Sequence, residues 1–303
     1  MRAMKTTGAL LFALHACAGR AVAVDDAGGA AEAEASDATN VDASAAQGVA
    51  EACEALGDAV CAKLAQCSPF GLELGYGDEA TCRARAPKGC AVGYASSSLT
   101  PSRASACAVS LGTLECSIFV TGDLGDGCNA LPGTLENNTP CIDNAQCKTT
   151  FCAKPLVDHC GVCAGPTKEG DVCVNQACSR GTVCAAATKK CVKPVAGKIG
   201  APCTGQEGCD LANGVGCNPT SGKCIALAIA KTGKTCGTDS LIVPTKFTLC
   251  EAAGSCSAIF NGTCGSSVTE GTACGTGTNG PYCLGPSKCI ATKCALPDPA
   301  VCK

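Results

Sequence analysis

Between Val49 and Cys67 the apolar and cysteine positions Val49, Cys53, Leu56, Val60, Leu64 and Cys67 recur at helical spacing and share one face. That period predicts an amphipathic helix. A second helix is expected to start at Asp78, whose carboxylate suits an N-cap, to carry Cys82, and to stop before Pro87 and Gly89. A third opens at Thr100-Pro101, where threonine caps and proline suits the first helical position, and places Cys107, Val109, Leu111 and Leu114 ahead of Cys116. Beyond Cys128 the helical period gives way to short polar runs punctuated by cysteine and glycine.

Those runs repeat. Gly170-Asp-Val-Cys173, Gly200-Ala-Pro-Cys203, Gly233-Lys-Thr-Cys236 and Gly271-Thr-Ala-Cys274 each open a unit with G-x-x-C, and Thr139-Pro140-Cys141 opens an earlier one without the glycine. The opening cysteines are 32, 30, 33 and 38 residues apart, which defines five units. The first holds Cys141, Cys147, Cys152, Cys160 and Cys163. The next three hold Cys173, Cys178, Cys184 and Cys191; Cys203, Cys209, Cys217 and Cys224; and Cys236, Cys250, Cys256 and Cys264. The last holds Cys274, Cys283, Cys289, Cys294 and Cys302. The final pair of several units brackets a hairpin: Cys184 to Cys191 and Cys217 to Cys224 each enclose six residues, with Pro219 and Gly222 supplying turn chemistry in the second. Short two-stranded ribbons with about two bridges per unit are expected. The odd counts in the first and last units require a bridge that leaves the unit or reaches the helices.

The chain begins with Arg2 and Lys5 followed by the apolar run Gly8 to Ala16, the form of an export signal, and that run falls short of the ~20 residues needed to span a bilayer. Two processing routes stay open: Leu14-His15-Ala16-Cys17 resembles a lipobox, with the signal ending at 16 and Cys17 lipidated, and Ala21-Val22-Ala23 forms an A-x-A site ending the signal at 23. Residues 24–47 are Ala-rich and acidic without a basic residue, and are expected to form a disordered tether despite alanine's helix preference.

Export decides how 31 cysteines are read. Oxidising compartments keep disulfides, so the thirty cysteines beyond Cys17 are expected to pair. Aromatic residues make up only 3%, tryptophan is absent and glycines number 37, so covalent closure replaces much of a large core, each bridge contributing on the order of 2–4 kcal/mol. Eight cysteines, Cys53, Cys61, Cys67, Cys82, Cys90, Cys107, Cys116 and Cys128, belong to the helical segment, and their connectivity is not assigned from spacing. The fold class is therefore small and disulfide-rich: a stapled helical domain of about three helices over 48–136, then five loop and β-ribbon cysteine-rich units over 137–303.

The run Cys141-Ile-Asp-Asn-Ala-Gln-Cys147-Lys-Thr-Thr-Phe-Cys152, with an acidic residue between the first cysteines and an aromatic before the third, resembles the N-terminal cysteine-rich region of Dickkopf proteins, and Pro281-Tyr282-Cys283 repeats the aromatic step. The G-x-x-C units are also similar to Dickkopf-type repeats in exported bacterial proteins and lipoproteins. The resemblance covers roughly Thr139 to Cys302 and implies a disulfide scaffold. Dickkopf proteins antagonise Wnt signalling with a second, C-terminal cysteine domain, and this sequence shows no counterpart of it.

Candidate chemistry is sparse. Cys160-Gly161-Val162-Cys163 is a C-x-x-C without the βαβ flanks of a redox centre, and it lacks the second pair a zinc site requires, so structural bridging is expected. His159 is the only histidine outside the signal and has no nucleophile frame beside it. No catalytic, cofactor or metal residues are assigned, and none of the glycines forms a phosphate or dinucleotide loop. Residues 137–303 carry fifteen basic and ten acidic side chains, and Lys189, Lys190, Lys193 and Lys198 form a local group able to meet an acidic polysaccharide, but scattered solvated lysines are the favoured reading because no aromatic interleaving supports polymer stacking. No aromatic interleaving points to nucleic acid.

The functional expectation is a non-enzymatic extracellular or envelope protein, secreted or lipid-anchored at Cys17, acting as a binding, adhesion or spacer module for a protein or polysaccharide. One alternative is a protease inhibitor or decoy offering the Cys236–Cys250 segment with Lys246 and Phe247 as bait; another is an enzyme in the helical domain. The sequons at Asn137 and Asn261 are expected to be unused.

Overall fold

The computed structural model describes residues 38–96, 100–128, 132–154, 160–173, 178–179, 181–185, 187–240, 244–275, 281–298 and 302. Cys17, His159 and the first part of the tether lie outside the described residues.

Among the described residues, five α-helices build the N-terminal domain: α1 (Ala38–Cys67), α2 (Pro69–Tyr76), α3 (Glu79–Ser96), α4 (Pro101–Thr113) and α5 (Cys116–Phe119). The cap at Asp78 forms, with Thr81 N donating to its carboxylate at 2.6 Å. Thr100 likewise accepts from Arg103 N ahead of Pro101. Bridges Cys53–Cys90 and Cys61–Cys82 tie α1 to α3, Cys67–Cys116 ties α1 to α5, and Cys107–Cys128 ties α4 to the turn that ends the domain. Around these cystines Leu64, Leu72, Leu111, Phe119 and Leu124 form a hydrocarbon core, with Leu111 and Phe119 fully buried.

Three expectations for this region are corrected. The second helix does not stop before Pro87 but continues to Ser96. Proline removes a helical donor, yet its ring lies against α1 where Gly57 leaves room; a Cβ at Gly57 would stand 2.8 Å from Pro87 Cδ. The bridges at Cys82 and Cys90 then hold α3 to α1 on both sides of the proline, so tertiary attachment overrides the local break. The first helix starts at Ala38, so the last ten residues of the acidic segment are helical rather than disordered. Once α1 is nucleated by its packed half, alanine's propensity extends it. The helix α2 was not anticipated, although Ser68-Pro69 opens it and Gly77 at φ 83° closes it, because eight residues carry too little period to read.

The repeats follow one rule. In each, the first cysteine bonds the third and the second bonds the fourth: Cys141–Cys152 with Cys147–Cys163, Cys173–Cys184 with Cys178–Cys191, Cys203–Cys217 with Cys209–Cys224, Cys236–Cys256 with Cys250–Cys264, and Cys274–Cys289 with Cys283–Cys294. In the first repeat the third and fourth cysteines are therefore Cys152 and Cys163. The remaining pair, Cys160–Cys302, joins the first repeat to the last, which meets the requirement set by their odd counts. Cys184 and Cys191, and Cys217 and Cys224, face each other across hairpins, but each bonds an earlier cysteine instead of its opposite.

Strands are short. The first repeat forms a three-stranded sheet in the order β1 (Pro140–Cys141), β3 (Gly161–Cys163), β2 (Cys152–Ala153). The second has the ribbon β4 (Val183–Cys184) and β5 (Cys191–Val192). The third and fourth depart from the ribbon expectation by sharing a five-stranded sheet, order β10-β8-β9-β7-β6, made of β6 (Val215–Asn218), β7 (Lys223–Ala230), β8 (Thr235–Thr238), β9 (Lys246–Cys250) and β10 (Gly262–Thr263). Strand β7 reads Cys-Ile-Ala-Leu-Ala-Ile-Ala, an alternation that outlasts the hairpin and pairs parallel with β9, Leu227 opposite Phe247 and Ile229 opposite Leu249. The last repeat returns to a ribbon, β11 (Lys288–Ile290) and β12 (Lys293–Ala295).

Several repeats pack against the helical domain. Phe70 of α2 packs on Gly214 and Ser68 Oγ donates to Ala212 O of the third repeat. Ala252 N and Ala253 N of the fourth donate to Glu73 O and Leu74 O, extending the end of α2. The first repeat lies against α3 through the turn Asn144–Gln146, and the last does so through Arg85. Cys160–Cys302 joins the first and last repeats of the array.

Candidate functional site

The glycine of each G-x-x-C motif has one conformational job. Lys168-Glu-Gly170-Asp171, Lys198-Ile-Gly200-Ala201, Lys231-Thr-Gly233-Lys234 and Thr269-Glu-Gly271-Thr272 are tight turns in which the fourth residue's N–H donates to the first residue's carbonyl. The third residue has positive φ: 89° at Gly170, 87° at Gly200, 79° at Gly233 and 81° at Gly271. Only glycine or asparagine takes this conformation at low cost. The first repeat uses Asn138, at φ 69°, in Glu136-Asn-Asn138-Thr139. Sequence reading missed this equivalence because it searched for glycine. In all five repeats the turn residue's N–H then donates to the fourth cysteine's carbonyl: Asn138 to Cys163, Gly170 to Cys191, Gly200 to Cys224, Gly233 to Cys264 and Gly271 to Cys294. The turn is thereby pinned to the cystine core and its second residue points outward.

In the last repeat that outward residue is Glu270, and α3 receives it. The Arg85 side chain, only 7% exposed, donates from Nη1 to Glu270 Oε2 at 2.7 Å, from Nη2 to Leu284 O and Ser287 Oγ, and from Nε to Gly285 O. Ser287 Oγ donates to Glu270 Oε1, and Lys88 lies 3.6 Å from the same oxygen. The Arg85 hydrogen bond, aided by a backbone hydrogen bond and that of Ser287, outweighs desolvation and holds the Glu270 carboxyl at about 2.

The corresponding turns of the second, third and fourth repeats are exposed. Lys168, Lys198 and Lys231 open them, one lysine per repeat at the same place, and Glu169, Ile199 and Thr232 occupy the outward position. Around the junction of the second and third repeats, Lys189, Lys190, Lys193 and Lys198 are exposed as the sequence led one to expect. Val172, opposite Lys190, is 62% exposed, and Val195 and Ile199 are exposed alongside. Lys193 pairs loosely with Glu169 at 3.5 Å, both well exposed. This is a basic surface with apolar residues in it, carried on rigid turns. Lys168 and Lys231 were not singled out from sequence, although the shared K-x-G spacing in Lys168-Glu-Gly, Lys198-Ile-Gly and Lys231-Thr-Gly could have shown them.

Where the first and last repeats meet, charge is concentrated. The Lys154 side chain crosses Gly161, and Lys154 Nζ donates to Ile142 O. Desolvation, eased by Asp143, lowers the Lys154 pKa; desolvation and then repulsion from Lys154 push Lys288 down to about 8. Asp143, whose carboxylate caps the turn Asn144–Gln146, is pushed upward by burial.

Each of the thirty cysteines expected to pair does so. The C-x-x-C is split, Cys160 going to Cys302 and Cys163 to Cys147. Three sulfurs in each repeat lie within 4.8 Å of one another, a spacing suited to a thiolate metal site, but all are consumed in disulfides. Lys246 and Phe247, the bait residues of the inhibitor reading, lie on β9 with β7 and β8 paired on either side, so they form no protruding loop. His159 and Cys17 lie outside the described residues. No helix among the described residues is long and apolar enough to cross a membrane.

No family model, curated protein or solved structure matches this chain.

Proposed function

We propose that the protein is a non-catalytic exported binding module whose second to fourth repeats present basic turns to an acidic polysaccharide. The observation that carries this reading is the contrast between equivalent turns: the last repeat's turn engages a buried guanidinium of the helical domain, whereas the turns opened by Lys168, Lys198 and Lys231 stand exposed on the same pinned frame. A rigid turn loses little entropy when its side chain is captured, and repeated cations spaced along an array suit a polymer of repeated anions. The fifteen disulfides fit an oxidising compartment outside the cytosol, where such polymers lie. Lipidation at Cys17 would place the same surface at a membrane.

Affinity electrophoresis of the mature protein through a gel containing a polyuronate tests this. Retardation that fades with salt is expected, and Lys168→Glu, Lys198→Glu and Lys231→Glu together should abolish it while the disulfides remain intact. Unretarded migration of the natural protein at low salt, or equal retardation of the triple variant, contradicts the proposal.

A further inference from the structure

We propose that Cys160–Cys302 is a redox latch, opened by an external dithiol in the folded protein while the other fourteen bridges stay closed. This is independent of what the repeats bind.

Two observations single the bridge out. The first is topology. Ten bridges follow the alternating pattern inside a repeat and four lie within the helical domain, none of them spanning more than 49 residues, whereas Cys160–Cys302 spans 142. It holds no repeat together. The sulfurs that make the first repeat's core are those of Cys141, Cys147, Cys152 and Cys163, without Cys160. Opening the latch therefore leaves every module's own bridges in place.

The second is access. Most bridges contain at least one buried cysteine, which shields the sulfurs from an attacking thiolate. Among the described residues both partners are half-exposed in Cys173–Cys184, Cys274–Cys289 and Cys160–Cys302. The first two each fix a repeat's frame, so their opening costs the repeat its order. The third does not.

The exchange is balanced. One thiolate of the dithiol attacks a sulfur of the bridge, forming a mixed disulfide and expelling the other cysteine as thiolate. The second thiolate of the reagent then closes on its own sulfur and expels the remaining cysteine. The dithiol leaves as a cyclic disulfide having given two electrons, and the protein gains two thiols with the protons the dithiol loses. The ring opens between the first and last repeats, while Arg85 keeps the last repeat on α3.

Graded dithiothreitol, followed by N-ethylmaleimide and peptide mapping, tests the latch on the folded mature protein. The expected result is a first phase of two labels per chain, at Cys160 and Cys302, with helical circular dichroism unchanged. First labels at Cys173 and Cys184 or at Cys274 and Cys289, or the release of all thirty thiols in a single step, would overturn it. The double variant Cys160→Ser with Cys302→Ser should fold with the remaining fourteen bridges and lack the first phase. A double variant that keeps a two-label phase at the same dithiol concentration, or that fails to form the other bridges, equally contradicts the proposal.

Discussion

The helical domain and the repeats spend cysteine differently. In the helices four bridges surround a core that exists in its own right, with Leu64, Leu72, Leu111, Phe119 and Leu124 in mutual contact. In the third repeat the buried cluster is Cys209, Cys217 and Cys224, and in the fourth it is Cys236, Cys250 and Cys264; the cystines are the core. Disulfides thus act as staples in one region and as packing material in the other. A unit of about thirty residues cannot bury enough hydrocarbon to order itself, so two stacked cystines and a hydrogen-bonded turn replace it.

The largest difference should appear when one bridge is removed from each region. Cys209→Ala with Cys224→Ala is expected to unfold the third repeat, seen as loss of amide protection over Val215–Asn218 in hydrogen exchange. Cys61→Ala with Cys82→Ala should cost about 3 kcal/mol in denaturant unfolding and leave the helices formed. Equal, local losses in both regions would erase the distinction.

The contact between the regions comes next. Arg85→Ala leaves Glu270 Oε2 and the carbonyls of Leu284 and Gly285 without the Arg85 donor and should cost about 3–5 kcal/mol, with new proteolytic cleavage confined to the last repeat. The same contact predicts an acid limb. Glu270 is held at about 2 against an ordinary 4.5, so its stabilisation is complete above pH 4.5 and is lost as the pH falls towards 2. Roughly 2–3 kcal/mol rides on that limb, reduced somewhat because the carboxylate is partly exposed. Glu270→Gln should flatten it in urea titrations performed at a series of pH values; an unchanged limb would show that other carboxylates carry it.

The smallest effect tests whether the five turns are equivalent. Asn138→Gly should be neutral or slightly stabilising, and Asn138→Ala should cost about 1 kcal/mol, because alanine resists positive φ. If alanine and glycine behave alike in thermal unfolding, the first repeat does not share the turn.

Much of this architecture was legible in the residues. Helical period exposed α1, and the cap residues Asp78 and Thr100 marked two further helix starts. Cysteine spacing gave the five units, and the odd counts of the first and last required a bridge beyond a unit or to the helices, though not which cysteines make it; the structure pairs Cys160 with Cys302. What sequence could not give depends on contacts between distant residues. Pro87 reads as a helix stop until Gly57 and the bridges of α1 are seen around it. The shared sheet arises because β7 runs on past its hairpin to meet β9, a pairing between different repeats. Arg85 carried no signal of its own, since a guanidinium in a helix reads as surface until carbonyls of the last repeat enclose it. The basic surface was half legible: Lys189, Lys190, Lys193 and Lys198 stood out by clustering, whereas Lys168 and Lys231 acquire meaning only through turn equivalence.

Peptide mapping of the unreduced mature protein tests the central claim, that each repeat is one alternately bridged module and a bridge joins the first and last repeats. The account predicts first-to-third and second-to-fourth pairing in all five repeats, together with a peptide linking Cys160 to Cys302. Pairing of neighbours such as Cys184 with Cys191, or a free thiol at Cys160 or Cys302 in unreduced material, would contradict it.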